Sequence, residues 1–261
     1  MISTSTANPH CETCPVNNQA ALKRMGVSVD NADYIVALAG NPNTGKSTVF
    51  NALTGLRQHV GNWPGKTVTR AEGGFRFDDA AFKLVDLPGT YSLLSTSTDE
   101  EVARDFILFG QPDVTVVVLD ATRLERNLNL ALQILEITDR VVVALNLMDE
   151  AQRHGIHIDT RALSRDLGVP VIPMAARQGE GVATLLGAIS SMAHGKTRTR
   201  PHRIKQADPR LEAAINTLVD QLESRFPGLP HGRWVALRLL DGDESIIAAV
   251  QDGTLGKQVT A

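Results

Sequence analysis

Cysteine is nearly absent from this 261-residue chain, which has two, Cys11 and Cys14. Two thiols cannot staple a small secreted scaffold, so a reducing compartment is the default reading. The stretch His10-Cys11-Glu12-Thr13-Cys14 leaves three options open: half a zinc site, a redox pair, or two free thiols on a polar arm. Positive charge is not in excess either. The formal net charge is −3, which removes the electrostatic case for nucleic acid as the main partner. No run of about 18 apolar residues occurs, so no segment reads as a membrane-spanning helix. The opening residues, MISTSTANPHCETC, have neither a basic n-region nor an apolar h-region and do not read as a secretory signal. What is present, 43% hydrophobic and 21% charged residues, is the balance of a globular protein. The length suits one α/β domain with a small appendage, or two small domains.

Residues 1–33 are polar and weakly patterned and read as a flexible arm, with a helical turn or two over Ala20–Met25. Regular patterning begins at Tyr34. YIVALAG (34–40), AFKLVDL (81–87), VTVVVLD (114–120), RVVVALN (140–146) and VPVIPMA (169–175) read as buried strands. They alternate with helical patterns at 47–56, 99–109, 127–137, 160–167 and 181–192. Continuous Val/Ile runs alternating with helices predict an α/β fold with a mostly parallel sheet covered on both faces. The pattern stops after Met192. Residues 195–207 are basic, lack apolar periodicity and read as a linker after a 34–194 domain; a weak contact of this run with anionic lipid stays open. In 208–261, Asp208 and Pro209 open a helix whose Leu211, Ile215, Leu218 and Leu222 line one face, and two more helices flank the Asp241-Gly242 turn. This region reads as a small all-helical domain.

Five short motifs carry chemistry. Gly40-Asn41-Pro42-Asn43-Thr44-Gly45-Lys46-Ser47 fits G-x-x-x-x-G-K-[ST] between a strand and a helix. Its backbone N–H groups, with Thr48 in the helix start, suit phosphate. Lys46 would meet the β- and γ-phosphates and Ser47 would bind Mg²⁺. Asp86-Leu87-Pro88-Gly89 reads as the switch that holds Mg²⁺ through a water at Asp86 and senses the γ-phosphate at the Gly89 N–H. Between these lies Gly65-Lys66-Thr67-Val68, where Thr67 would complete the Mg²⁺ shell. Asn146-Leu147-Met148-Asp149 ends a strand where open α/β sheets bind ligands. The Asp149 carboxylate suits the N1–H and amino group of guanine, and Asn146 would tie this loop to the phosphate loop. Ala175-Ala176-Arg177 follows the last strand, with the Ala176 N–H directed at guanine O6. Three residues common in such sites are missing. Thr90 stands where a water-orienting glutamine often follows the glycine. Leu147 replaces a lysine, its aliphatic body expected over the base. Ala175 replaces a serine, which predicts a less well braced loop. His154 and His157 read as surface residues rather than metal ligands.

Together GNPNTGKS, GNWPGKTV, DLPGTYSL, NLMD, the Ala-Ala-Arg loop and ALRLLDGD resemble the cytosolic part of the FeoB ferrous-iron transporter family, from about Tyr34 to Asp252. The resemblance implies a Ras-like P-loop GTPase domain and a helical domain, followed by a transmembrane iron-permease domain of the same polypeptide, at the cytoplasmic side of the bacterial inner membrane. It implies GTP/GDP and Mg²⁺ as ligands, K⁺ coordinated by Asn43 near Asn62 and Trp63, and slow hydrolysis in which Asn43, Lys46, Thr67 and Gly89 take part. Asn43 alternatively serves as a loop-bracing amide. Small cytosolic accessory proteins and an oligomer are compatible with the family; nucleic acid is not expected. Two other readings stay open: a ribosome- or RNA-associated GTPase, although the appendage has no G-x-x-G loop or aromatic stacking platform, and a regulatory module that binds nucleotide without turnover.

Overall fold

The structure is a computed structural model that describes residues 22–23, 25–28, 31–55, 58–94, 97–203, 208–253 and 255. Cys11 and Cys14 lie outside the described residues, as do parts of the expected linker and helical domain (204–207, 254 and 256–261). A seven-stranded sheet runs in the order β2-β3-β4-β1-β5-β6-β7. Its strands are β1 (Tyr34–Gly40), β2 (Gln58–Asn62), β3 (Thr69–Phe77), β4 (Ala80–Asp86), β5 (Val114–Asp120), β6 (Val141–Asn146) and β7 (Val171–Pro173). β4, β1, β5, β6 and β7 are parallel, while β3 and β2 extend the sheet antiparallel. The expected mostly parallel sheet is therefore present.

Helices α1 (Lys46–Thr54) and α6 (Val182–Ala193) cover one face, and α2 (Thr98–Gly110) and α3 (Leu124–Ile137) cover the other. Strand residues sort between the two cores with period two. Val36, Leu38, Leu84, Val116 and Val118 join α1 and α6, whereas Ala37, Val85, Val117 and Leu119 join α2 and α3. That sorting follows from alternate side chains pointing to opposite faces of a pleated strand. β5 and β6 are buried at every position, so their continuous Val/Leu runs have no polar face to show. Two short helices, α4 (Met148–Arg153) and α5 (Thr160–Leu167), link β6 to β7.

A helical unit follows: α7 (Pro209–Arg225), α8 (Gly232–Leu240) and α9 (Glu244–Gln251). Asp208 caps α7 through the Arg210 N–H at 2.8 Å, with Pro209 in the first turn. Ile215 and Leu222 are buried and Leu218 is half-buried, but Leu211 at the end of the stripe is exposed. Arg233 forks onto Glu212 at 2.7 and 3.0 Å and joins α8 to α7.

Several elements differ from the sequence expectation. The β2–β3 hairpin had no strand signal: β2 is mostly exposed and β3 carries Gly73-Gly74 at its centre, both of which weaken a strand pattern. β7 spans three residues rather than seven because Pro170 and Pro173 cannot donate to a ladder. α4 is one and a half turns long, too short to show a period. The end of the expected flexible arm is packed, with Leu22 and Val27 1% and 0% exposed in the α2-side core. The described part of the basic linker is docked as well: the Arg200 N–H donates to Gly168 at 3.0 Å, and Arg203 Nε donates to the Leu135 carbonyl at 3.0 Å.

Candidate functional site

The loops at the C-terminal ends of β1, β4, β6 and β7 gather at one rim of the sheet, where β1 is flanked by β4 on one side and β5 on the other. This reversal of strand order is where open α/β sheets leave a crevice. The phosphate-type loop leaves β1 at Gly40 and enters α1 at Lys46. A Cβ on Gly40 would come within 2.7 Å of the Val118 carbonyl, and one on Gly45, whose φ is +80°, within 2.4 Å of Asn146 Nδ2. The loop therefore closes this tightly only with glycine at both places. Thr44 is buried, and its hydroxyl donates to the Asn41 carbonyl at 2.9 Å. Asn43 is exposed with φ of +67°, a conformation that asparagine tolerates. Ser47 and Thr48 are exposed in the first turn of α1.

Lys46 and Asp86 form an ion pair across 40 residues of chain. Burial pushes the Asp86 carboxyl above its ordinary value, while the Lys46 ammonium acts the other way. The site thus holds one cation and one carboxylate against each other. Both are types that phosphate and a hard divalent cation would separate: an ammonium for phosphoryl oxygens, and carboxylate with hydroxyl oxygens for Mg²⁺. The donor set of Asp86 and Ser47, beside a glycine cradle that a Cβ would fill, fits a magnesium–phosphate group. Leu87 continues from β4 by donating to Leu38 at 2.9 Å. Gly89 then passes close to Pro42, to which a Cβ there would stand at 3.5 Å. Thr90 is 4% exposed, and Tyr91 is exposed beneath the Arg126 guanidinium, 4.6 Å away.

Asn146 joins three of the loops. Its side chain is 1% exposed; Nδ2 donates to the Thr44 carbonyl at 3.0 Å, and Oδ1 accepts from the Ala176 N–H at 3.0 Å. Asn146 therefore links the loop that carries Asp149 to the loop between β1 and α1. The other end of the same amide, Oδ1, takes the Ala176 N–H that the sequence directed at a base oxygen, because the buried amide oxygen needs a donor. Leu147 takes φ of +62°, and the Met148 N–H donates to Met174 at 3.1 Å. Asp149 Oδ2 accepts from Gln178 Nε2 at 3.1 Å and from Arg153 at 3.2 Å. Neither partner was singled out from sequence. Arg153 was legible as an i,i+4 pair; Gln178 comes from another loop and carried no signal. The loop expected to be weakly braced is held by backbone instead. Ala175 and Glu180 exchange bonds of 3.2 and 3.3 Å, and a Cβ on Gly181 would stand 2.4 Å from the Pro173 carbonyl. Arg177 is exposed.

The segment with Gly65, Lys66, Thr67 and Val68 is a closed turn between β2 and β3. The Trp63 N–H donates to Val68 at 3.0 Å and the Lys66 N–H donates to Trp63 at 3.0 Å. Lys66 Nζ bonds to Glu101 of α2 at 2.7 Å, and Thr67 is exposed. The turn is thereby tied to the helix that follows Asp86–Gly89. Among the described residues, no group of three or more His, Cys, Asp and Glu side chains stands together as a metal site, and His154 and His157 are exposed.

Against known proteins, residues 34–189 match the family profile described as ferrous iron transport protein B, and residues 208–261 match the FeoB cytosolic helical domain. The Fe(2+) transporter FeoB of Escherichia coli K12 is 45% identical over 212 residues, 80% of this chain and 27% of that protein. The chain thus spans about a quarter of the length of the curated relatives it matches. Among solved structures, the cytosolic domain of the T. maritima FeoB iron transporter in a GDP form is 38% identical, with 85% of each chain covered and a TM-score of 0.76. The same domain in a GMPPNP form is 37% identical, with 85% of this chain and 86% of that one covered and a TM-score of 0.74.

Proposed function

Because the chain belongs to the ferrous iron transport protein B family, FeoB, we propose that it is the guanine-nucleotide switch of a ferrous-iron transporter. The observation that carries this reading is the Asn146 bridge, which fixes the Asp149 loop to the phosphate loop through Thr44 and to the Ala176 loop. One purine nucleotide can then touch all three. In this reading Gly40–Thr48 cradle the phosphates, Lys46 turns from Asp86 to the β- and γ-phosphates, and Ser47, Thr67 and Asp86 hold Mg²⁺. Asp149 accepts the N1–H and amino protons of guanine, and Leu147 covers the ring. Mg²⁺ held there would neutralise phosphate charge. Nucleotide-bound forms of T. maritima FeoB support guanine as the base.

Hydrolysis is slow, because Thr90 is buried and offers no free side chain to orient water. K⁺ held by Asn43 would stabilise the charge that develops at the leaving phosphate. GTP turnover measured in K⁺ and in Na⁺, for wild type and Asn43→Ala, tests this. Faster turnover in K⁺ that the substitution abolishes is expected; equal turnover in both salts for both proteins would overturn the potassium role. The burial of Thr90 also favours a second reading, a module that binds nucleotide without turnover. Release of phosphate within a single turnover at saturating protein would rule that out. The remaining length of the FeoB relatives would hold the membrane permease that this switch gates, placing the chain at the cytoplasmic face of the bacterial inner membrane. No helix among the described residues is long and apolar enough to cross a membrane.

A further inference from the structure

The family match begins at residue 34, yet residues 22–23 and 25–28 are built onto the switch. Leu22 and Lys23 end a helical turn in a Schellman motif. The Val27 N–H donates to Leu22 and the Gly26 N–H to Lys23, both at 2.9 Å, and Gly26 has φ of +75°. The apolar pair that accompanies this motif is Leu22 with Val27, and both are buried. The turn lands on two parts of the switch apparatus. Leu22 Cδ2 and Met25 Sδ each stand 3.4 Å from where a Cβ on Gly110 would lie, at the end of α2. On the other side, Arg70 at the start of β3 donates to the Met25 carbonyl at 2.9 Å and to the Gly26 carbonyl at 2.7 Å.

The same guanidinium lies over the Trp63 ring, 5.4 Å from its centre, and its Nε is 2.8 Å from Glu72. Trp63 meets Phe106 of α2 edge-on at 5.5 Å and is itself buried. A Cβ on Gly26 would stand 2.6 Å from the Arg70 guanidinium and 2.9 Å from the Pro64 ring. Lys83 adds an outer contact, donating to the Ser28 carbonyl at 2.5 Å while paired with Glu72 at 2.6 Å. The strap thus touches both ends of the turn that carries Thr67, at Pro64 before it and at Arg70 after it.

We propose that residues 22–23 and 25–28 form a positioning strap that pins both roots of the Thr67 turn against the end of α2, so that switching moves only the residues between Pro64 and Arg70. A loop clamped at both ends loses little further entropy when Thr67 engages a ligand. The strap therefore favours the triphosphate form, in which Thr67 takes part, and leaves the diphosphate form, held by Lys46 and Asp149, unaffected. The nucleotide half of this claim rests on the function proposed above; the pinning does not.

Gly26→Ala in the full chain breaks the approach to Arg70 and Pro64. Leu22→Ala keeps the backbone and removes the buried anchor. Hydrogen exchange at the Trp63 and Lys66 amides should speed up about tenfold in both variants, with β5 and β6 amides unchanged. GDP affinity should stay within about twofold, while affinity for GMPPNP with Mg²⁺ falls about threefold or more, a split that general destabilisation would not produce. Unchanged exchange at Trp63 and Lys66 overturns the strap, and equal weakening of GDP and GMPPNP overturns its preference for the triphosphate form. If Gly26→Ala also loosens β5 and β6, Leu22→Ala decides. If wild type binds neither nucleotide, the nucleotide reading fails and exchange alone decides the pinning.

Discussion

At the residue scale the site is a set of charges and amides that satisfy one another until a ligand replaces one partner. Lys46 and Asp86 are the clearest pair. Lys46→Ala should weaken GTP binding about 10–100-fold, the loss of a charge-assisted contact, and it strands the Asp86 carboxylate that burial already keeps above its ordinary pKa. Titration calorimetry with Mg²⁺ and GTP measures this; unchanged affinity would remove Lys46 from the phosphate site. Asp149→Asn tests base recognition. An amide presents an N–H where guanine presents its own donors, so GTP should bind about 10–100-fold more weakly, whereas xanthosine triphosphate, with a carbonyl at that edge, should gain affinity. Competition between the two nucleotides reads the exchange. Gln178 belongs to the same set, since it already bonds the Asp149 carboxylate at 3.1 Å.

At the element scale, α2 connects the parts. Its Glu101 holds Lys66 of the Thr67 turn, its Phe106 packs on Trp63, and its Arg104 donates to Ser245 at the start of α9, 2.9 Å away. Ser97 caps the helix through the Glu100 N–H, and Asp99, Glu100 and Glu101 lie in its first turn, where the helix dipole favours acids. Any rotation of α2 after a change at Asp86–Gly89 is therefore felt by the turn, the strap and the helical unit together. Arg104 is 5% exposed and pairs with Asp105, whose carboxyl burial raises above the usual range while Arg104 lowers it. Arg104→Ala takes the nearest cation from that half-buried carboxylate and unhooks α9, so urea unfolding should show a loss of about 1–3 kcal/mol. A loss below about 1 kcal/mol would mean that the pair contributes little to holding the two units together.

At the scale of the whole molecule, His231 marks the seam between the nucleotide domain and the helical unit. It opens α8 with φ of +56° and lies near Arg203 and Asp139. Burial first, and the Arg203 charge second, hold the imidazole down at about 4, with Asp139 opposing them, against an ordinary 6.5. The folded chain then binds fewer protons than the unfolded chain between those values. This contribution to stability is fully present above about pH 6.5 and is lost as pH falls towards 4, on the order of 3 kcal/mol in all. His231→Asn, which tolerates the left-handed backbone, should flatten that part of the stability–pH curve measured by denaturant unfolding. A curve that keeps its slope would place the titrating group elsewhere.

Much of this protein is legible in its sequence. The parallel core strands are continuous apolar runs, and the four candidate loops sit at strand ends in an order that a local pattern reveals, because a P-loop or an N-x-x-D turn is built from neighbours in the chain. The β2–β3 hairpin was hidden by exposed residues and by Gly73-Gly74. The packing of Leu22 and Val27 was hidden by a polar context that resembles a tail. Only the tertiary structure decided that Lys46 faces Asp86, that Asn146 spans Thr44 and Ala176, that Gln178 reaches Asp149, and that Arg70 donates to the carbonyls of Met25 and Gly26. Partners such as these lie tens of residues apart, and which of them meet depends on strand order and helix placement, to which no local periodicity is sensitive.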